Sequence, residues 1–349
     1  MSIKGLIDLL HKSGQLSKKQ WIELLKNSTD VDRLYARSLA RQIADEKYGK
    51  NVYIRGLIEF TNYCKNDCYY CGIRASNKKV NRYRLDKSQI MDCVHNGYTL
   101  GFRTFVVQGG EDMSLSDEWY EDLIKEIKIH YPDCAVTLSI GERTKESYKR
   151  LYDAGADRYL LRHESANRGH YEKIHPKNLT LENRMRCLNN LKDIGYQVGC
   201  GIMVGSPYQT VECIADDMIF MKEFRPHMVG IGPFIPHMDT PFRDEEVGSY
   251  ELTLYLLSLI RIMLPNVLLP ATTALGTIKK NGREEGILCG ANVVMPNLSP
   301  SRIRDDYMLY NNKLNTGTES AENVDLLKRR MKSIGYDIVV SRGDFRRDV

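Results

Sequence analysis

Cys64-Lys65-Asn66-Asp67-Cys68-Tyr69-Tyr70-Cys71 follows directly on the strand-like run Val52 to Phe60, and its three thiols are spaced x3 then x2. Three thiolates on so tight a turn can hold three irons of a 4Fe-4S cube, and no fourth cysteine lies nearby, so one iron keeps no protein ligand. An open iron of that kind can chelate the amino and carboxylate groups of S-adenosylmethionine and pass it an electron, splitting it to methionine and a 5'-deoxyadenosyl radical. A structural zinc knuckle would need a fourth ligand, and His95, the nearest downstream histidine, has no partner at ligand spacing.

Outward from this loop, short Val/Ile/Leu-rich runs alternate with helical stretches after Asn51, the pattern of a parallel sheet with crossover helices. Eight such runs are expected as strands: Val52 to Phe60, Thr104 to Gln108, Ala135 to Ile140, Arg158 to Arg162, Gln197 to Val204, Met228 to Phe234, Leu268 to Thr273 and Ala291 to Met295. Their nearly continuous apolar residues suit strands covered on both faces. Helices are expected over Glu118 to His130, Lys145 to Ala154 and Leu181 to Ile194, with Gly155 and Gly195 as stops.

Eight strand-helix units make an α/β (βα)8 TIM-type barrel over residues 51–312, with an open six-stranded partial barrel as the alternative. Residues 1–50 read as an N-terminal helical extension, in which Leu6, Leu9 and Leu10 form an apolar stripe. Ser17 with Gln20 is a capping-box pattern, and Leu16 with Trp21 is placed for a hydrophobic staple. Residues 313–349 are expected as a C-terminal helix and tail packed on the barrel.

Composition narrows the class. A chain of 349 residues with 42% hydrophobic content can fill one large core, and a net charge of only +5, spread along the chain, gives no basic block for nucleic acid. The cationic cluster Lys328 to Lys332 reads as the solvated face of a late helix. No run approaches a membrane span and the N-terminus lacks an apolar signal core, so a cytoplasmic monomer is expected. Nine cysteines without secretory context agree with a reducing compartment. Cys93, Cys134, Cys187, Cys200, Cys213 and Cys289 are scattered and read as buried spectators.

In a TIM-type barrel the site lies on the loops leaving the carboxyl ends of the strands, and the unusual polar residues fall there. Strand two ends in Gln108-Gly109-Gly110-Glu111-Asp112, strand three carries Thr137 and Ser139, strand four ends in Arg162-His163-Glu164, and strand seven gives Thr272 and Thr273. Arg162 and Glu164 alternate with His163 and so share one side, either as an internal salt bridge or as ligand contacts. Arg184, opening the helix after strand four, can clamp a carboxylate, although an arginine there also suits a plain surface. The threonines can donate hydroxyls and are also simply good strand formers.

The cysteine spacing, with an aromatic between the last two thiols, resembles that of the radical S-adenosylmethionine (SAM) superfamily. Gly109-Gly110-Glu111 is similar to its Gly-Gly-Glu element. Arg-Gly-Leu-Ile-Glu-Phe before the cysteines narrows the resemblance to the FeFe-hydrogenase maturase HydE family. So do Arg82-Tyr83-Arg84, Arg158 to Glu164, Gly230 to His237 and Pro270-Ala271-Thr272-Thr273-Ala274.

The resemblance implies one 4Fe-4S cluster on Cys64, Cys68 and Cys71, and S-adenosyl-L-methionine held by Gly109, Gly110, Glu111, Ser139, Glu164 and Arg184. Thr137, Arg162, Thr272 and Thr273 would line the substrate side. It further implies an iron-carbonyl-cyanide-cysteine substrate derived from HydG, with HydF as scaffold and a reductant such as ferredoxin or flavodoxin. Many family members hold a second, dispensable cluster on C-terminal cysteines; Tyr310 to Val349 contains none, so a single cluster is expected.

Two sister families share the cysteine spacing. Biotin synthase needs further cysteines on strands two, three and five and an arginine on strand seven; here strand two has no cysteine, strand seven offers threonines, and Cys134 and Cys200 alone cannot build that site. Methylornithine synthase, an amino-acid mutase, is the nearer alternative. A non-catalytic iron-sulfur electron carrier is the reading from outside the enzymes.

Overall fold

The structure is a computed structural model that describes residues 1–346; the last three residues of the expected tail lie outside it. The chain opens with helices α1 (Ile3–Ser13), α2 (Lys18–Asn27) and α3 (Asp30–Tyr48). Ser17 and Gln20 close the capping box of α2 reciprocally, and Leu16 and Trp21 are both buried beside it. α3 packs along the barrel helix α10 (Tyr250–Met263), and α2 packs on α9 (Val211–Phe224). α10 is buried along nearly its whole length for that reason.

The barrel begins with β1 (Asn51–Ile54) and β2 (Gly56–Thr61), one continuous run that changes neighbours midway. β2 leads a parallel sheet through β3 (Thr104–Gly109), β4 (Ala135–Ser139), β5 (Arg158–Leu160), β6 (Gln197–Cys200) and β8 (Met228–Val229). Closure runs through parallel bridges from Met228 to Leu268 and from Pro270 to Val293 of β10 (Val293–Val294), which pairs with β1. The circuit matches the expected eight strands.

Two strands are shorter than their apolar runs suggest. Around Pro270 the seventh survives only as bridges, since proline donates nothing to a ladder. The fifth breaks at Gly201, where a Cβ would sit 1.9 Å from the Gly230 carbonyl oxygen, and resumes as β7 (Met203–Val204) against β9 (Gly232–Pro233).

After α13 (Val324–Ser333), β11 (Asp337–Val339) joins β1 in parallel on the side away from β10. The chain then crosses beneath the barrel. The Arg342 carbonyl accepts from Thr104 and from Arg158, each at 2.8 Å, and Arg158 pairs with Asp344 at 2.5 Å. Phe345 meets the His227 ring edge-on. The floor of the barrel is thus closed by the tail, leaving the opposite rim for chemistry.

Candidate active site

The cysteine loop leaves the end of β2 and is stapled to its own flanks. Arg82 donates to the carbonyls of Asn62, Ile73, Arg74 and Asn77, spanning the loop from within. Arg74 pairs with Asp67 through Nε and Nη2, at 2.8 and 2.6 Å. Arg84 grips Asp112 through Nε and Nη2, and Thr61 donates to the same carboxylate. The Arg82-Tyr83-Arg84 phrase is therefore the brace of the thiol loop, a role carried by paired charges and backbone acceptors together.

Cys64, Cys68 and Cys71 line one cavity of about 360 Å³ at the rim, within the size range of small-molecule sites. None of the other six cysteines lines it, and all six are buried. A Cβ on Gly110 would lie 2.2 Å from the Tyr63 carbonyl oxygen and 2.7 Å from Cys64 Cβ, so its bareness lets the thiol loop seat against the end of β3. Burial pushes the Cys71 thiol up to about 12, with the Cys64 charge adding to it, and burial also raises Cys64 and Cys68. Such thiols are neutral alone and become thiolates when a metal supplies positive charge. Three soft donors at the mouth of a cavity, with no fourth nearby, fit the expected cluster.

The other expected residues are gathered around the same space. Gly109, Gly110, Glu111, Ser139, Arg162, Glu164, Arg184, Thr272 and Thr273 all line the cavity. Thr137 does not. It lies deeper, beside a second, very small cavity shared with Arg55 and Arg158, because its side chain sits two residues before Ser139 on β4 and so nearer the floor.

Arg162 and Glu164 stand together while His163 turns away into the core toward Asp217. Arg162 Nε and Nη2, Glu164 Oε2 and Thr272 Oγ1 are buried with no hydrogen-bond partner among the described residues. Glu164 also takes a positive φ of 62°, a strained backbone for a non-glycine residue of the kind that clusters at ligand sites. Two of the expected donors have other employment. Thr273 donates to Glu319 at 2.7 Å, and Glu319 is in turn paired with the buried Arg283. Arg184 donates through Nε to Glu142 at 2.6 Å and through Nη1 to the Arg162 carbonyl.

Several residues in the cavity wall or directly behind it carry no signal in the sequence. Glu142 follows Gly141 at the end of β4 and holds both Arg184 and Asn183; its place after a strand end was the available clue. Tyr70 donates to His175 Nε2 at 3.0 Å, while His175 Nδ1 faces the Tyr171 carbonyl, so Nδ1 carries the proton. Tyr307, Leu309, Tyr310 and Lys313 come from a loop that crosses the mouth after the last barrel strand, and nothing local in the sequence marks them.

The profile of the radical SAM superfamily matches residues 58–221. The [FeFe] hydrogenase maturase subunit HydE of Thermotoga maritima is 46% identical over 297 residues, covering 84% of each chain. The 3-methylornithine synthase of Methanosarcina acetivorans is 26% identical over 272 residues, 77% of this chain and 75% of that one. The crystal structure of a methylornithine synthase superposes with a TM-score of 0.83 at 24% identity, covering 96% of this chain and 97% of the other, a likeness of fold.

Proposed function

The chain belongs to the radical SAM superfamily, in the family of the maturase HydE, and from that premise we propose that it acts in FeFe-hydrogenase maturation. The 4Fe-4S cluster, when bound by Cys64, Cys68 and Cys71, supplies the electron that splits S-adenosylmethionine into methionine and a 5'-deoxyadenosyl radical.

The chain's own residues bind and orient around that event. Arg184, fixed by Glu142, offers its remaining N–H groups to the S-adenosylmethionine carboxylate. Glu164 Oε2 accepts from the ribose or ammonium. Gly109, Gly110, Glu111 and Ser139 complete the rim. Arg162 and Thr272 face the second reactant with unfilled donors, which suits an anionic, cyanide-bearing iron-cysteine unit supplied by HydG. Tyr70, Met203, Phe234, Ile235 and Met295 add apolar wall that limits water around a radical. HydF as scaffold, ferredoxin or flavodoxin as reductant, and a cytoplasmic monomer belong to the same proposal. No helix among the described residues is long and apolar enough to cross a membrane.

The observation that carries this reading is the convergence of three thiols with unpartnered Arg162, Glu164 and Thr272 atoms on one cavity. Its test is deoxyadenosine release by anaerobically reconstituted, reduced protein, with and without the iron-carbonyl-cyanide-cysteine complex. Strong stimulation by the complex is expected. If lysine stimulates instead, the protein is an amino-acid mutase. If S-adenosylmethionine leaves the spectrum of the reduced cluster unaltered, an electron carrier is the better description.

A further inference from the structure

Glu59 and Lys313 form a buried ion pair in the cavity wall, at 2.7 Å, with side chains 1% and 7% exposed. Burying two charges is costly unless their hydrogen bonds are complete. Those of Glu59 are well supplied, because Asn297 Nδ2 donates to its second carboxylate oxygen at 2.7 Å. Lys313 is less complete. An ammonium carries three N–H groups, and Lys313 gives one to Glu59 and one to the Tyr307 carbonyl at 3.1 Å. The third has no acceptor oxygen or nitrogen among the described residues, the Tyr307 ring centre lying 5.1 Å from the ammonium, and the residue lines the cavity.

We propose that Lys313 is a substrate-anchoring residue whose third N–H takes a one-point anionic acceptor, a metal-bound cyanide nitrogen or a carboxylate oxygen, with Glu59 as its resident counter-ion. The inference rests on the maturase reading for the identity of the substrate and on geometry for the site. Glu59 keeps the ammonium from standing as a lone buried charge in the free enzyme, and the spare donor favours an acceptor entering the cavity. Lys313 arrives on the loop that crosses the mouth, whereas Arg162 and Thr272 arrive from strand ends. A ligand touching both sets is gripped from the barrel and from its cover.

The opposed charges make the test decisive. Azide and acetate are titrated separately into the cluster-loaded protein at saturating S-adenosylmethionine, with binding read by calorimetry and, for azide, by its infrared stretch. Lys313→Met is expected to weaken binding at least tenfold, whereas Glu59→Gln, which removes a competing negative charge, holds or tightens it. Preference for azide over acetate points to cyanide as the natural acceptor, and the reverse points to a carboxylate. The double variant Glu59→Gln/Lys313→Met has no unpaired charge and so guards against a folding failure; it too is expected to lose anion binding. Equal weakening in Glu59→Gln and Lys313→Met would mark the pair as a structural clasp and overturn the proposal. Anion binding at parental strength in Lys313→Met or in the double variant would overturn it as well. S-adenosylmethionine binding by the parent protein is read first, and its failure would strike the radical SAM reading rather than this one.

Discussion

Arg162 Nη2 and Glu164 Oε2 stand 3.2 Å apart, close enough to attract, yet neither atom completes a hydrogen bond to the other or to any neighbour among the described residues. A salt bridge built for stability would fill those valences; under the proposed function the two charged groups are instead completed by ligand. Glu164→Gln is therefore expected to raise the S-adenosylmethionine dissociation constant about ten- to a hundredfold, the loss of one charge-assisted hydrogen bond of about 1.5–3 kcal/mol. Arg162→Gln is expected to spare that constant and abolish stimulation by the iron complex. Equal loss of melting temperature in both, with ligand affinity intact, would show a structural pair.

Cys68→Ala removes one of three donors at the cavity mouth and is expected to abolish iron binding and S-adenosylmethionine cleavage. Cys93→Ala, buried in the core on α4 (Lys87–Thr99), leaves both intact. Iron content and the visible absorbance of the reconstituted proteins check this, and equal loss in the two variants would break the ligand assignment.

Glu142 and Arg184 are both buried at 2.6 Å. Glu142→Ala strands the guanidinium and is expected to cost about 3–5 kcal/mol in urea unfolding. S-adenosylmethionine should recover part of that loss, because its carboxylate is an alternative partner for Arg184. A thermal shift by the ligand no larger than in the parent would remove Arg184 from the carboxylate site.

His175 is held down to about 3, first by burial and then by the Arg184 charge, against an ordinary 6.5. The unfolded chain then binds a proton that the folded one refuses. The neutral ring's contribution is fully present above pH 6.5 and is lost as pH falls toward 3, at up to about 1.4 kcal/mol per pH unit. His175→Asn is expected to flatten that acid limb in melting temperature against pH. An unchanged slope would sink the assignment.

Barrel, thiol loop and most of the rim were legible because each depends on local pattern: apolar runs, a cysteine spacing, strand-end phrases. What escaped depends on distance along the chain. Lys313 meets Glu59 and Thr273 meets Glu319 only after the barrel has closed, so no window of sequence contains either pair. Thr137 lies on the expected strand but beside the smaller, deeper cavity, a position that alternation does not give, since it fixes a face and not a height within the barrel. The break at Gly201 was invisible for a similar reason, since the carbonyl that crowds it belongs to Gly230, about thirty residues further along the chain.

The pairing of β1 with both β10 and β11 carries a consequence for biosynthesis. Each partner of β1 is translated near the end, and at about 5–20 residues per second that half of the first strand waits on the order of tens of seconds for a neighbour, whereas β2 meets β3 early. Val52, Tyr53 and Ile54 are an apolar edge of the sort that recruits other chains. Recovery of soluble protein should therefore follow the time spent on the ribosome and the chaperones met there more closely than the stability of the finished barrel.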